Sequence, residues 1–253
     1  MFRVVIPARY ASARLPGKPL SIIAGKPMIQ WVYERARASR AQEVLVATDN
    51  PLIVSAARAF GAETVMTAIT HKSGTDRIAE VARLRGWTDS DIVVNVQGDE
   101  PLIPSASIDQ VGSLLEFHAG AGIATLATPI GSLAEFMDPN VVKVVTDGEG
   151  RALYFSRAPI PWEREGAAAG MVSQESFAGA RRHVGIYGYR VGGLLRLAAL
   201  PPGPLEQQEK LEQLRALENG IEIRVADSAA PPGPDVNTAA DLERVRVLLR
   251  PGM

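Results

Sequence analysis

Short apolar runs alternate with amphipathic stretches along the first hundred residues. Four of these runs predict strands: RVVIPA from Arg3, EVLVAT from Glu43, ETVMT from Glu63 and DIVVNVQGD from Asp91. Their apolar residues are largely continuous, which is typical of strands that are buried on both faces of a sheet. The runs and the stretches between them therefore predict a β-α-β-α order and a parallel sheet.

The stretches between these runs have the apolar spacing of helices. PMIQWVYERARAS is predicted to begin with Pro27 at its first helical position and to bury a face that includes Ile29 and Val32. Two more helices are predicted to end at glycines, PLIVSAARAFG at Gly61 and SGTDRIAEVARLRG at Gly86.

The pattern changes after about Ile123, where strand-like runs follow one another with little helix between them. IATLATPI, VVKVVTD, ALYFSRAPIPW and HVGIYGYR predict a β-rich antiparallel excursion over about residues 123–190. Inside it, GAAAGMVSQESFAGARR is predicted to be a mobile loop with a short helical piece. The end of the chain returns to a helix (LEQQEKLEQLRALENG), a strand (IEIRVAD) and a helix (NTAADLERVRVLLR). With no repeat and no linker between domains, a single domain over residues 1–253 is predicted.

Charge and composition exclude several classes of protein. A net charge of -1 argues against nucleic-acid binding by bulk electrostatics. The absence of cysteine excludes disulfides, thiolate chemistry and cysteine-ligated zinc, and it fits a cytoplasmic enzyme. No signal peptide is visible and no apolar run approaches the ~20 residues that span a bilayer, so no membrane partner is expected.

A cationic loop follows the first predicted strand. VVIPARYASARLPGKPL places Arg9, Arg14 and Lys18 around Gly17, at the end of the strand where parallel sheets bind ligands. Cationic side chains and a glycine backbone that a ligand can approach closely suit a phosphate group. The loop matches neither the P-loop nor the dinucleotide fingerprint. A solvated basic loop is the alternative interpretation.

Polar residues also end the fourth predicted strand, in VNVQGDEP. Gln97, Asp99 and Glu100 are expected at the same edge of the sheet as the basic loop. Magnesium typically takes one or two protein carboxylates, while phosphate oxygens and water complete its shell. A carboxylate that faces the basic loop would therefore suit Mg²⁺ bound to phosphates, and a simple turn acid is the alternative.

The HKSGTDRIAEV segment permits two interpretations. Ser73 and Asp76 have the spacing of a capping box, which is a purely structural feature. A helix that begins at the edge of a cleft would also offer donors to a polar ligand. His71 is expected at the surface, because the three histidines lack the spacing of a metal site.

Two later segments concentrate cations and aromatic hydroxyls. YFSRAPIPW and RRHVGIYGYR contain Arg157, Arg182, His183, Tyr187 and Arg190. Such side chains beside a cleft suit a small acidic substrate with many hydroxyl groups. Cross-strand pairing in a half-exposed sheet is the alternative.

The EKLEQLR segment has the pattern of an ordinary amphipathic helix. Leu211, Leu214 and Leu217 are predicted to point inward, and Glu212 and Gln213 to face solvent or the cleft.

Together these motifs resemble the 3-deoxy-D-manno-octulosonate (Kdo) cytidylyltransferase family, the CMP-Kdo synthetases. IPARYASARLPGKPL, HKSGTDRIAEV, VNVQGDEPLI, ALYFSRAPIPW, RHVGIYGYR, LEQLR and DLERVR have the order and spacing of that family between Met1 and about Arg250. The resemblance implies an α/β, Rossmann-like three-layer nucleotidyltransferase fold with a mixed central sheet and an antiparallel dimerisation excursion. It also implies the reaction of CTP with Kdo to give CMP-Kdo and pyrophosphate for lipopolysaccharide biosynthesis, with Mg²⁺ as cofactor and a homodimer in the cytoplasm.

The resemblance also implies roles for individual residues. The catalytic residues would be Arg14, Lys18 and Asp99. The CTP contacts would be Arg9, Arg14, Lys18, Ser73, Gly74 and Gln97. The sugar-acid contacts would be Arg157, His183, Tyr187, Glu212 and Gln213. The metal ligands would be Asp99 and Asn237.

Asn237 departs from the pattern of the family, which usually has Val-Asp-Thr where this chain has Val236, Asn237 and Thr238. An amide oxygen can bind a hard cation but adds no charge, and Asp235 two positions earlier is predicted to face the same side. The alternative is that Asn237 only caps the last helix. Three other functions stay open: transfer to a related acid (8-amino-Kdo or an acylneuraminate), a glycosyltransferase, and a non-catalytic nucleotide-binding module.

Overall fold

The computed structural model describes residues 1–11, 15–164 and 176–250. Its strands are β1 (Arg3–Ala8), β2 (Ile22–Ile23), β3 (Lys26–Pro27), β4 (Val44–Thr48), β5 (Glu63–Met66), β6 (Ile92–Asn95), β7 (Ile123–Pro129), β8 (Lys143–Thr146), β9 (Ala152–Ser156), β10 (Arg181–Arg190) and β11 (Ile223–Asp227). Its α-helices are α1 (Met28–Arg37), α2 (Pro51–Ala59), α3 (Gly74–Leu84), α4 (Ser105–Phe117), α5 (Leu133–Met137), α6 (Val191–Ala199), α7 (Pro204–Glu209), α8 (Gln213–Glu218) and α9 (Ala239–Leu248). A short 3-10 helix covers Lys18–Leu20.

The central sheet has the strand order β11-β7-β10-β6-β1-β4-β5. Strands β6, β1, β4 and β5 pair in parallel, and β11 pairs in parallel with β7. Strand β10 lies between β6 and β7 and runs antiparallel to both. The sheet is therefore mixed, which confirms the predicted fold class. The predicted antiparallel excursion consists of β10 and the β8–β9 hairpin attached to it, whereas β7 joins the parallel strands.

Helices cover both faces of this sheet because successive residues of a buried strand point to opposite sides. Val4 and Ile6 of β1 pack in a core with α1, α2 and α4. Val5, between them, packs in a second core with α3, α6 and α8. The two cores give the three predicted layers and leave the carboxyl ends of the parallel strands at one edge.

The ends of the first three helices agree closely with the pattern. Helix α1 begins at Met28, so Pro27 is its N-cap rather than its first helical residue. Gly61 and Gly86 follow the C-caps of α2 and α3 with φ angles of 81° and 63°. A left-handed residue ends many helices in this way, and glycine adopts it without strain.

The helix predicted over LEQQEKLEQLRALENG is broken in the structure. Lys210, with a φ of 54°, separates α7 from α8. The carboxylate of Glu209 accepts hydrogen bonds from the Ser156 hydroxyl and the Arg157 amide, which anchors the end of α7 to the end of β9. Leu211 and Leu214 are buried as predicted.

The sequence pattern does not predict α4 and α6. Neither helix has a side-chain N-cap, and α6 starts with Val191, Gly192 and Gly193, residues with weak helix propensity. A side chain at Gly193 would lie 2.8 Å from the carbonyl oxygen of Gly122, so this glycine permits close packing of the backbone. Over the described ranges, none of the helices has the length and apolar character needed to cross a membrane.

Candidate active site

A cleft of about 300 Å³ opens at the carboxyl ends of β1 and β6. The first strand, the cationic loop, the N-terminus of α3, the segment after β6 and the segment before α9 all contribute to it. Its lining residues are Pro7, Ala8, Arg9, Lys18, Pro19, His71, Lys72, Ser73, Gly74, Arg77, Gln97, Gly98, Asp99 and Asn237. All the predicted CTP and metal residues except Arg14 line this cleft, and Arg14 lies outside the described residues.

An ion pair joins the basic loop to the segment after β6. The ammonium group of Lys18 donates to Asp99 Oδ2 at 2.6 Å and to the carbonyl oxygen of Val236 at 2.8 Å. Lys18 is 13% exposed and Asp99 26% exposed, so both charges can reach a ligand in the cleft. The sequence prediction that this carboxylate faces the basic loop is confirmed.

The segment before α9 is fixed beside the same carboxylate. The Val236 amide donates to the carbonyl oxygen of Asp99 at 2.9 Å, which places Asn237 in the wall of the cleft. The Asn237 side-chain amide donates to Asp235 Oδ2, as expected for two residues on the same side of an extended segment. Thr238 is the N-cap of α9 and forms a capping box with Asp241. The alternative in which Asn237 itself caps this helix is therefore wrong.

Gly17 has a different role from the predicted one. Its φ of 68° lies in the left-handed region, which explains why glycine is needed there. Its amide donates to the carbonyl oxygen of Tyr10 at 3.0 Å and so holds the turn closed. The cations of the loop, rather than this amide, are the groups available to a phosphate.

The N-terminus of α3 fits both interpretations of its motif. Ser73 and Asp76 form the capping box, with the Asp76 amide 3.1 Å from Ser73 Oγ. Ser73 and Gly74 also line the cleft, so the cap is itself part of the site. A side chain at Gly74 would lie 3.3 Å from the ring of Pro7, so glycine keeps α3 close to the end of β1.

The sequence interpretation missed Arg77 and misplaced His71, and both line the cleft. The Arg77 guanidinium is buried, donates to Asp49 Oδ2 at 2.7 Å and also binds the hydroxyl of Thr67. Arg77 follows Ser73 by four residues on one helix, so it faces the same side and could have been inferred from helical spacing. His71 is hydrogen-bonded to Glu80, and the same carboxylate accepts from a backbone amide of the preceding loop.

Glu100 differs from its neighbour Asp99. Burial raises the pKa of the Glu100 carboxyl group to about 8, and the nearby charges of Asp99 and Asp235 act in the same direction. A carboxyl group that is largely protonated near pH 7 is a poor cation ligand. Asp99 is therefore the carboxylate of this segment that suits a metal ion.

Three of the predicted sugar residues lie together on the α3 face of the sheet. The ring of His183 is 5.2 Å from the ring of Tyr187, and Glu212 is close enough to Tyr187 to help raise the pKa of its hydroxyl. Gln213 is buried beside Glu212 at the start of α8. Burial lowers the pKa of His183 to about 3, and its Nε2 contacts Thr125 Oγ1 at 2.9 Å, so the imidazole is neutral near pH 7.

Arg157 is held by backbone groups at one side of this cluster. Its Nε donates to the carbonyl oxygen of Glu209 at 2.7 Å, and its Nη1 donates to that of Pro139 at 2.9 Å. The buried ammonium of Lys143 donates to three carbonyl oxygens, one of them that of Arg157 at 2.7 Å. The sequence interpretation missed Lys143 and Glu209, because nothing in their local pattern predicts these distant partners.

The other two arginines of the predicted cluster have structural partners. Arg182 forms an ion pair with Glu135 at 3.1 Å. Arg190 donates to the carbonyl oxygen of Leu115 at 2.7 Å, on the opposite face of the sheet. The strand therefore supplies both the predicted sugar residues His183 and Tyr187 and side chains with structural partners.

Helix α3 connects the cleft that is predicted to bind the nucleotide (the nucleotide cleft) with the group of His183, Tyr187 and Glu212 that is predicted to bind the sugar acid (the sugar cluster). Thr75, its second residue, donates a hydrogen bond from its hydroxyl to Glu212 Oε1. Ser73 is close enough to Glu212 to act on its pKa, which is raised mainly by burial. One helix end thus lines the cleft on one side and binds a predicted sugar residue on the other.

Comparisons with known proteins agree with this geometry. A family model for cytidylyltransferases matches residues 3–223. A 3-deoxy-manno-octulosonate cytidylyltransferase of Thioalkalivibrio sulfidiphilus is 54% identical over 249 residues, which cover 98% of this chain and 99% of the relative. An enzyme of the same name from Pseudomonas syringae pv. tomato is 56% identical, with 98% of each chain covered.

Solved structures show the same relationship. A CMP:2-keto-3-deoxy-manno-octonic acid synthetase complexed with CTP superposes with a TM-score of 0.87 and 45% sequence identity, covering 98% of this chain and 97% of that one. A 4-diphosphocytidyl-2C-methyl-D-erythritol synthase, at 13% identity and a TM-score of 0.63, shares the fold alone.

Proposed function

This chain belongs to the cytidylyltransferase family, and we propose that it transfers CMP from CTP to the anomeric hydroxyl group of Kdo, releasing pyrophosphate. The product CMP-Kdo is the activated sugar for lipopolysaccharide biosynthesis. The observation that carries this proposal is one continuous site. The cleft with the Lys18–Asp99 pair is linked through Ser73 and Thr75 to Glu212 in the sugar cluster.

The strand order supports a placement for each end of the nucleotide. Asp99 follows β6 and binds the ammonium of Lys18, whereas Arg77 reaches Asp49 just after β4, on the other side of β1. The triphosphate therefore belongs at the β6 side, near the cations of the loop. The cytidine belongs across the end of β1, between Pro7 and the N-terminus of α3.

The sugar acid lies on the other side of α3. Arg157 offers charge to its carboxylate, and neutral His183, Tyr187 and Glu212 offer hydrogen bonds to its hydroxyl groups. Since Thr75 binds Glu212 directly and Ser73 lines the cleft, the two substrates meet at the end of one helix. Such fixed placement of two reactants is the main source of rate in phosphoryl transfer.

The reaction itself is an in-line displacement at the α-phosphorus of CTP. The anomeric oxygen forms a bond to this phosphorus and releases its proton to solvent, while the bond to the bridging oxygen breaks and pyrophosphate leaves. Lys18 stabilises the negative charge that develops on the leaving group, and it is already oriented by Asp99 and the Val236 carbonyl. Arg9, exposed at the mouth of the cleft, supplies a further cation for the phosphates.

The oxygen ligands available around Asp99 fit Mg²⁺. Over the described ranges there is no group of three acidic, histidine or cysteine side chains that could hold a metal on its own. A carboxylate and the amide oxygen of Asn237 on the same wall are the small set of hard oxygen ligands that Mg²⁺ takes when phosphates complete its shell. When bound, Mg²⁺ supplies positive charge to the phosphate oxygens and lowers the pKa of a coordinated hydroxyl group.

The β8–β9 hairpin supports the proposal of a homodimer. It extends from the central sheet, and Leu153 on β9 is 58% exposed. Trp162, shortly after β9, is 47% exposed. Large apolar side chains on an exposed edge are typical of an interface. Analytical ultracentrifugation of the protein and of Leu153→Asp tests this: the proposal requires a dimer that the substitution weakens.

Product analysis tests the reaction. The protein is incubated with CTP, Kdo and Mg²⁺, and products are identified by phosphorus NMR and mass spectrometry. The proposal predicts CMP-Kdo and pyrophosphate in equal amounts. A glycosyltransferase would instead consume a nucleotide sugar, and a binding module would retain CTP without turnover, so either result excludes the proposed reaction.

A further inference from the structure

Asn95 lies at the junction of the nucleotide cleft and the sugar cluster. It is the last residue of β6, and only 2% of its surface is exposed. A side chain at Gly74, in the cleft wall, would lie 3.8 Å from Asn95 Nδ2. Tyr187, in the sugar cluster, is directly opposite Asn95 on β10. The amide group therefore lies beside residues of both halves of the site.

The carbonyl oxygen of this amide has no donor among the described residues. Burial raises the pKa of the Tyr189 hydroxyl overall, while the side chains of Thr75 and Asn95 lie close enough to it for both to act toward a lower pKa. Asn95 Oδ1, in contrast, is buried and has no hydrogen-bond partner in the described part of the chain. Buried acceptors without a donor are rare in folded proteins, because they lose their bonds to water and gain nothing in return. Oδ1 is thus ready for a donor that the free protein does not supply.

The neighbours of Asn95 indicate which substrate brings this donor. Tyr187 belongs to the sugar cluster, and Thr75 binds Glu212 in the same cluster. The phosphate groups of CTP can only accept hydrogen bonds, whereas a sugar acid carries several hydroxyl donors. CTP also has donors in its ribose hydroxyl and cytosine amino groups, so the test below measures the Kd for CTP as well.

We propose that Asn95 is a specificity-determining residue whose Oδ1 accepts a hydrogen bond from a hydroxyl group of the bound sugar acid, an inference that rests on the proposed function. Tyr187, which is half-buried and directly opposite on β10, lies beside Asn95.

The consequence is discrimination between sugar acids. An analogue that lacks the relevant hydroxyl group leaves Oδ1 buried and unpaired in the closed site. Sites built around a buried polar group reject such analogues far more strongly than apolar pockets reject an extra methylene group. Asn95 would therefore help to select acids that carry a hydroxyl group at that position.

The test compares wild type with Asn95→Leu, which removes both ends of the amide at similar volume. The expected result is a rise of about 5- to 150-fold in the KM for the sugar acid, the range that one buried hydrogen bond spans, with an unchanged Kd for CTP. The thermal midpoint of the free protein should change little, because the variant loses the polar contact with Tyr189 and also the unpaired acceptor. Thr48→Val is the matched control: Thr48 is a buried polar residue at the end of β4, two strands from β6 in the sheet, and its loss should leave the sugar-acid KM unchanged.

Analogues of the sugar acid that each lack one hydroxyl group give a test that does not depend on folding of the variant. With wild type, kcat/KM for one analogue should be lower than kcat/KM for the full sugar acid by a comparable factor. With that analogue, Asn95→Leu should have the same kcat/KM as wild type. A lowered thermal midpoint with an unchanged sugar-acid KM would assign Asn95 a purely structural role and overturn the inference. A weakened Kd for CTP would overturn it as well, since the donor would then be a ribose hydroxyl. If wild type forms no CMP-sugar with any acid, the proposed function fails. If wild type is active and Asn95→Leu has the same kinetics, only the inference about Asn95 fails.

Discussion

Replacing Asn237 with aspartate tests the position of the metal ion most sharply. The Asn237 amide donates to Asp235 Oδ2, so Asn237→Asp removes this donor and places two carboxylates side by side. Two like charges about 4 Å apart cost ~1 kcal/mol in a water-exposed setting, and the lost hydrogen bond costs about 1 kcal/mol more. In the absence of metal the variant should therefore be about 2 kcal/mol less stable, which lowers the thermal midpoint by about 4–8 °C.

Magnesium reverses this loss if the site is where we place it. The second carboxylate adds a charged ligand beside Asp99, and a gain of ~1.4 kcal/mol in metal binding lowers the Mg²⁺ concentration for half-maximal rate about tenfold. The assay is thermal denaturation of wild type and variant in the presence of CTP over a Mg²⁺ titration, together with initial rates. The difference in thermal midpoint should shrink as Mg²⁺ is added, because a ligand that binds only the folded state stabilises it.

Asn140 provides a matched control. Its side-chain amide donates to Asp138 Oδ1 at 3.0 Å, again two residues earlier, but on the loop between α5 and β8. Asn140→Asp should lose similar stability. Addition of Mg²⁺ in the presence of CTP should raise its thermal midpoint only as much as it raises that of wild type. If Asn237→Asp melts like wild type at every Mg²⁺ concentration and the half-maximal concentration is unchanged, Asn237 is not near the metal and our assignment of this wall is wrong.

Three more perturbations follow from the contacts in the site. Lys18→Met should lower kcat about 10²–10³-fold with a smaller change in the Kd for CTP, since Lys18 acts on the departing pyrophosphate. The control Lys26→Met, on the β2–β3 hairpin, should keep the wild-type kcat. Equal kcat values in both variants would exclude a catalytic role for Lys18. Glu209→Ala removes the carboxylate that accepts from the Ser156 hydroxyl and the Arg157 amide, and it should therefore loosen Arg157 and raise the sugar-acid KM by about 5- to 150-fold, while the Kd for CTP, measured beside it, should not change. Burial keeps His183 neutral in the folded state (pKa about 3), so the unfolded state binds an extra proton between about pH 6.5 and 3. The free energy of unfolding should therefore fall on acidification by up to about 1.4 kcal/mol per pH unit. Chemical denaturation of His183→Gln should show a weaker dependence of this free energy on pH, and an equal dependence would contradict the burial of His183.

The sequence predicts the nucleotide half of the site because that half depends on local order. Continuous apolar runs predict parallel strands, and the carboxyl ends of parallel strands meet at one edge. Lys18 after β1 and Asp99 after β6 are 81 residues apart, yet their contact follows from this rule alone. Ser73 shows the same strength for a helix start, since its capping box is present as spaced residues in the sequence, whereas the cap of α9 is Thr238 and not Asn237, the alternative that the sequence suggested.

The sugar half depends on contacts that no local pattern records. Thr75 and Glu212 are 137 residues apart and meet only because α8 packs beside α3 on one face of the sheet. Lys143 looks like a surface residue of a strand, but its ammonium is buried against three carbonyl oxygens. The break at Lys210 likewise follows from the anchoring of Glu209 by β9, which overrides the helical periodicity of the segment.

A competition assay tests the central claim most directly. The protein is incubated with CTP, Mg²⁺ and equal concentrations of Kdo, 8-amino-Kdo and an acylneuraminate, and the CMP-linked products are quantified by mass spectrometry beside the pyrophosphate released. We expect CMP-Kdo to be the dominant product and its amount to match the pyrophosphate. A dominant product from either of the other acids, or consumption of CTP without a CMP-linked sugar, would contradict the account.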